Sequence, residues 1–240
     1  MTDTSTDWAN MFPGGVPAGE YFRILVDDLI EVVLENDEAE RRNKVAPLAL
    51  IGLIAYFEAF CKDLFASLIN IAPDYIAALK DKGQDVNIDA SAVLKHGIDP
   101  KHQLGFLLSE KYDFGTAKAI NSLYGALLGI TPFSKDESAR FSALLHDRNL
   151  LVHHGGTYTA RYLESKTPPD VPERFRVFMD SLVISSKRVS EDARFLKDLA
   201  RKMIRASIDV LQRGLKEKGL LDKNTEHSLF MLRWWDDKGA

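Results

Sequence analysis

"SKDESARFSALLHDRNLLVHHGG", Ser134 to Gly156, decides how the chain is read. Ser134 followed three residues on by Glu137 is a capping-box pattern, in which each satisfies an orphan backbone N–H of the first helical turn. Gly155 suits the left-handed residue that ends a helix. Between them Phe141, Leu144, Leu145 and Val152 fall on one stripe at about 100° per residue. The segment is therefore one helix, with Arg148 inside that stripe, Asn149 on its flank, and His146 and His153 together farther round. Arg148 can lay its stem on the core. Its guanidinium stays charged and, if buried, needs an acceptor.

A second helix, Val45 to Ile71, offers one. It is apolar nearly all round and belongs in the centre of a bundle. Glu58 is its only charge before Cys61, and it shares a face with Ile51, Ile54, Phe65 and Ile69. A lone glutamate there is costly unless paired. A direct Glu58–Arg148 contact is therefore expected, either as an ion pair that only fixes helix register or as one that aims the arginine.

Around these two helices the pattern stays mainly α. Residues 1–16, with Pro13, Gly14 and Gly15, read as a flexible arm. Phe22, Leu25, Leu29, Val32 and Val33 recur at helical spacing from Tyr21 to about Glu40. Short helices near 73–82, 89–96 and 101–111 are broken by Gly83, Gly97 and Pro100, and another covers about 115–128. After Gly156 the alternation in "TYTARYL" (157–163) and the β-rich "FRVFMDSLVIS" (175–185) predict a small hairpin with a long tip. A long amphipathic helix follows, from about Ser190 to Lys218. The organisation expected is an arm over 1–16, a helical domain over 17–224, and a tail over 225–240 whose Trp234 and Trp235 dock on the body or a partner.

Bulk composition narrows the function classes. The chain has 240 residues, 45% hydrophobic and 28% charged, with a net charge of −4; it is globular and not a general nucleic-acid magnet. Residues 187–218 nevertheless hold ten bases against five acids, a solvated face or a phosphate-facing stripe. The single cysteine, Cys61, excludes an intrachain disulfide and suits a reducing cytoplasm. No signal peptide is read in "MTDTSTDWANMFPGG". The longest uncharged apolar run, Val45 to Phe57, is too short to span a bilayer. No P-loop, GxGxxG, HExxH or serine elbow occurs. His146 and His153 stand about 10 Å apart along a helix, too far to share a metal, so no metal or other cofactor is expected.

The helix end itself carries the chemistry. His153 lies in the last turn, where the helix dipole favours a protonated imidazole, and an imidazole moves protons near neutral pH. A fixed cation and a proton carrier within one turn and a half suit phosphoryl transfer.

Arg148-Asn149-Leu150-Leu151-Val152-His153 resembles the Arg-polar-x-x-x-His signature of the HEPN superfamily. "AYFEAFCKDLF" (55–65) is similar to the early helix of those proteins, with Glu58 at the acidic position. The hairpin and closing helix resemble the RiboL-PSP-like HEPN subgroup, over about 45–218. The resemblance implies an antiparallel helical bundle and a metal-independent endoribonuclease of bacterial defence or toxin–antitoxin systems. The 2′-hydroxyl would attack the adjacent phosphorus, leaving a 2′,3′-cyclic phosphate and a 5′-hydroxyl. His153 would be the general acid or base, Arg148 would hold the scissile phosphate, and Asn149 would orient the phosphate or His153. His154 would cap the helix or touch substrate. Partners implied are RNA, a second copy of the chain across a composite cleft, and an antitoxin or defence-system protein; no membrane is involved. The alternatives are a non-catalytic HEPN module that binds RNA, nucleotide or a protein, and a helical scaffold with a fortuitous motif. Exposure of Arg148 and His153 in one basic cleft separates nuclease from scaffold.

Overall fold

The computed structural model describes residues 4–37, 43–97, 99, 102–164 and 177–237. Its helices are α1 (Ala18–Glu35), α2 (Ala46–Ile71), α3 (Ile76–Asp81), α4 (Ala90–His96), α5 (Leu104–Ser109), α6 (Ala117–Leu128), α7 (Lys135–His154), α8 (Ala160–Glu164), α9 (Ser186–Glu217) and α10 (Lys223–Asp237). The mainly α reading holds among the described residues. The chain packs around α2, which touches α1, α5, α7 and α9.

From Leu64 to Ile71 every side chain of α2 is buried, as an all-apolar helix requires. Its first half is different. Leu48 is 68% exposed, and Ala55 and Ala59 are also open to solvent, so that half keeps one face uncovered. Opposite that face Phe57 meets Phe22 of α1, Phe141 of α7 and Phe133 edge-on, with ring centroids 5.4–6.2 Å apart, a favoured aromatic geometry. This cluster ties the motif helix to α2.

Two buried amides hold the remaining joints. Asn43 accepts from the backbone N–H groups of Val45 and Ala46 at the start of α2, and donates to Val33 O and Ser186 Oγ. Asn70 accepts from Gly105 N and donates to Met11 O. Met11 and Phe12 are only 4% and 2% exposed. Residues 4–15 are thus two 3-10 turns, Thr4–Met11 and Pro13–Gly15, rather than a free arm. Trp8, Met11 and Phe12 supply the apolar surface that the polar composition of the segment conceals. The expected tail is α10, anchored by buried Leu229 and Leu232; the side chains of Trp234 and Trp235 lie outside the described residues.

The expected hairpin is not found among the described residues. Residues 160–164 form α8, and pairing is confined to 156–158 against 178–182, where Leu182 N–H donates to Gly156 O, Tyr158 N–H to Asp180 O and Phe178 N–H to Tyr158 O around one antiparallel bridge, Thr157 to Ser181. The long tip, 165–176, lies outside the described residues. Tyr158 and Tyr162 stack with ring centroids 5.5 Å apart. Their spacing of four satisfies a helical turn as well as an alternating strand, and Thr159 Oγ1 accepts from Tyr162 N to start that turn.

Gly105 marks the tightest approach of two helices. A Cβ there would collide with the Ala66 carbonyl oxygen and come within 2.7 Å of Asn70 Oδ1. Gly105→Ala is expected to lose about 3 kcal/mol in urea unfolding. Gly125→Ala, which meets only Ile130 O at 3.6 Å inside α6, is expected to be neutral or to gain about 0.5 kcal/mol.

Candidate functional site

Both ends of α7 form as the sequence dictates. Ser134 and Glu137 make both capping-box bonds, and Gly155 closes the helix at φ 58° with its N–H on Leu150 O. The rotation of the helix differs from the expected one. Its buried positions are Phe141, Leu144, Asp147 and Leu150, an arc to one side of the apolar stripe. Arg148 therefore sits half-buried at one edge, while Asn149, His153 and His154 are exposed.

Asp147 causes that rotation. Its carboxylate is only 1% exposed and accepts from the Tyr162 hydroxyl at 2.5 Å and from Arg188 Nη2. Arg188 also faces Asp192 at 3.5 Å, and Asp192 takes Arg140 at 3.3 Å. Burial, with the hydrogen bond to Asp147 next, pushes the Tyr162 phenol well above its ordinary range, so Tyr162 remains a donor. The network ties α7 to α8 and to the first turn of α9. Sequence reasoning missed it; the signal was an acid, Asp147, three residues after Leu144 and three before Leu150.

Glu58 and Arg148 do not form the expected contact: no ion pair joins them among the described residues. Arg148 Nη1 instead donates to Asn149 Oδ1 at 3.0 Å, and its Nε is buried with no hydrogen-bond partner. Glu58 is half-buried beside the loop between α5 and α6, where a Cβ on Gly115 would lie 3.9 Å from its Oε1. Burial raises its carboxyl pKa, the Arg148 charge works against that rise, and Asp113 adds to it. The face argument failed because the turned α7 carries the guanidinium to the helix edge.

On the other side of α7 lies a cleft of about 380 Å³. His146, Asn149, His153 and His154 line it from the motif helix, and Thr159, Arg161 and Tyr162 line it from the segment that follows. Arg148 is not among these residues. The structure brings His153, His154 and Asn149 together and leaves Arg148 and Glu58 on the α2 side.

The basic run of α9 is neutralised in part. Lys187 pairs with Glu191, Arg188 with Asp147, Lys197 with Asp27, Arg201 with Asp198 and Lys202 with Glu137. That half of the run reads as a salt-bridged face rather than a phosphate stripe. No protein-family model, curated protein or solved structure matches the chain.

Asp147→Asn leaves Arg188 short of its partner and is expected to cost about 2–3 kcal/mol in chemical unfolding, less than a fully buried pair because Arg188 is partly solvated. Tyr162→Phe should cost about 1 kcal/mol. Glu58→Gln should behave oppositely. A carboxyl whose pKa is raised on folding destabilises the folded state above that value and ceases to do so as pH falls through it. The variant should therefore melt higher than wild type at neutral pH, with the gap closing toward the ordinary glutamate value of about 4.3. A lower melting point at neutral pH would mean that the Arg148 attraction outweighs desolvation.

Proposed function

We propose that the chain is a HEPN-type endoribonuclease of the RiboL-PSP-like kind that works as a two-fold dimer, in a defence or toxin–antitoxin setting. The observation that carries the reading is the placement of Arg148, Asn149 and His153 on the solvent-facing last turns of a capped helix in a mainly α chain. Arg148 and His153 are five residues apart, about 140° round the axis and 7.5 Å along it. Arg148 therefore lies at one edge of the exposed face of α7 and His153 near its middle, with Asn149 between. In one copy the two serve different sides of the helix, since Arg148 does not line the cleft that His153 lines. A second copy set across that face by a two-fold axis brings one chain's His153 to the other's Arg148 edge. The open apolar face of α2 and the exposed Val152 adjoin the Arg148 edge and supply surface for that contact.

In such a site the 2′-oxygen forms its bond to phosphorus as the bond to the 5′-oxygen breaks. His153 takes the 2′-hydroxyl proton and, as imidazolium, returns it to the departing 5′-oxygen. Each site thus uses the His153 of one copy and the Arg148 of the other. Arg148 balances the charge gathering on the phosphoryl oxygens. Asn149 holds the guanidinium in the unloaded site and orients phosphate or His153 when RNA binds. His154 caps the helix end or touches substrate. Side chains supply both the proton transfers and the charge balance, so the reaction needs no metal. No described helix is long and apolar enough to cross a membrane. The two other readings, a non-catalytic HEPN module that binds RNA, nucleotide or a protein and a helical scaffold with a fortuitous motif, are favoured by one observation: Arg148 stands outside the cleft that His153 lines.

Purified protein incubated with total RNA in EDTA should yield fragments ending in 2′,3′-cyclic phosphate, and DNA should remain intact. His153→Ala and Arg148→Ala should each lower the rate at least about a hundredfold without changing the melting profile. An absolute requirement for Mg²⁺, or unchanged cutting by the double variant, would overturn the reading; RNA bound but never cut would favour the non-catalytic module. Solution mass should be twice 26.9 kDa, and a monomer that still cleaves would rule out the composite site.

A further inference from the structure

The cleft beside His153 has a composition of its own. Every charged or titratable group among its described lining residues is a guanidinium, an imidazole or a phenol, and none is a carboxylate. Arg161, on α8, is its one fixed cation. It is exposed, and no described carboxylate pairs with it. Thr159 uses its Oγ1 to accept from Tyr162 N, which leaves its O–H to donate. Tyr162, whose hydroxyl is spent on Asp147, forms a neutral wall and locks α8 to α7. Arg161 thus projects from an element tied to α7 by the buried Tyr162–Asp147 hydrogen bond.

A cleft lined by cations and donors, with no carboxylate, takes an anion. Its volume of about 380 Å³ falls within the roughly 300–1,000 Å³ of clefts for organic ligands, larger than a bare ion needs. Tyr162 stacks on Tyr158 and is only 8% exposed, so little of its ring is open to a base. The fixed charge of Arg161 and the hydrogen-bond donors around it therefore meet the ligand through its phosphate backbone.

We infer that this cleft binds a sugar–phosphate unit of single-stranded RNA, with Arg161 contacting a phosphate next to the one that is cut. The inference rests on the ribonuclease reading and adds to it a positioning cation that the Arg-to-His motif does not contain. Arg161 holds the strand in register with the His153 of its own chain, while Arg148 reaches that histidine from the second copy.

The test is fluorescence anisotropy with a labelled oligouridylate, 2′-O-methylated so that it cannot be cut, over a range of salt concentrations. Arg161→Gln should bind about tenfold more weakly at low salt. Its slope of log affinity against log salt should flatten by about 0.7 for each phosphate that the side chain no longer neutralises. Arg161→Lys should keep most of that slope. Arg213→Gln, an exposed cation of α9, serves as the charge control and should match wild type. Equal losses in the Arg161 and Arg213 variants, or no change in slope with Arg161→Gln, would overturn the inference. Cleavage of RNA with an Arg161→Gln variant of unchanged slope would leave the nuclease standing without this cleft. An Arg161-dependent slope in a protein that cuts no RNA would leave the cleft standing without the nuclease.

Discussion

Burying the carboxylate of Asp147 costs several kcal/mol unless an opposite charge and hydrogen bonds meet it, and the rest of the candidate site hangs on how that demand is met. Arg188 reaches it from α9 and the Tyr162 hydroxyl from α8. Both partners lie beyond the helix end, so meeting them fixes how far α7 is turned about its axis. With Asp147 inward, Arg148 falls at one edge, and Asn149 and His153 point out. A helix turned to bury its most apolar stripe would have carried Arg148 into the core and left Asp147 in water.

That turn also explains why Glu58 and Arg148 remain neighbours without touching. The arginine keeps a buried Nε with no partner and an Nη1 on Asn149. Glu58 keeps a carboxyl disfavoured by burial and by Asp113. Neither group is settled in one copy of the chain. An edge holding an unsettled guanidinium, next to an α2 face bearing Leu48, Ala55 and Ala59, suits a surface that a second copy completes. The cleft on the other edge, with its imidazoles and Arg161, suits the strand that such a dimer would cut.

Much of the fold was legible in the sequence. The capping box at Ser134 and the glycine at 155 set the limits of α7 because both act within one turn of chain. The central helix was readable from its long apolar run. What escaped depends on contacts distant in sequence. Met11 and Phe12 dock because Asn70 and α10 receive them, which a polar, glycine-containing segment does not reveal. The hairpin failed because Tyr158 and Tyr162 fit both a period of two and a spacing of four. At the site, Arg148, Asn149 and His153 could be singled out from local spacing. Asp147, Tyr162 and Arg161 could not, since their importance comes from α8 and α9 folding back onto the motif helix.

The claim that one site is shared between two copies is tested most directly by subunit complementation. The Arg148→Ala and His153→Ala chains, each inactive alone, are unfolded together, refolded as a mixture and assayed on RNA in EDTA, with mixed dimers counted by native mass spectrometry. Recovery of about one quarter of wild-type activity is expected, because random assortment makes about half the dimers mixed and each mixed dimer keeps one of its two sites whole. Mixed dimers that form in that proportion and cut no RNA would contradict the account.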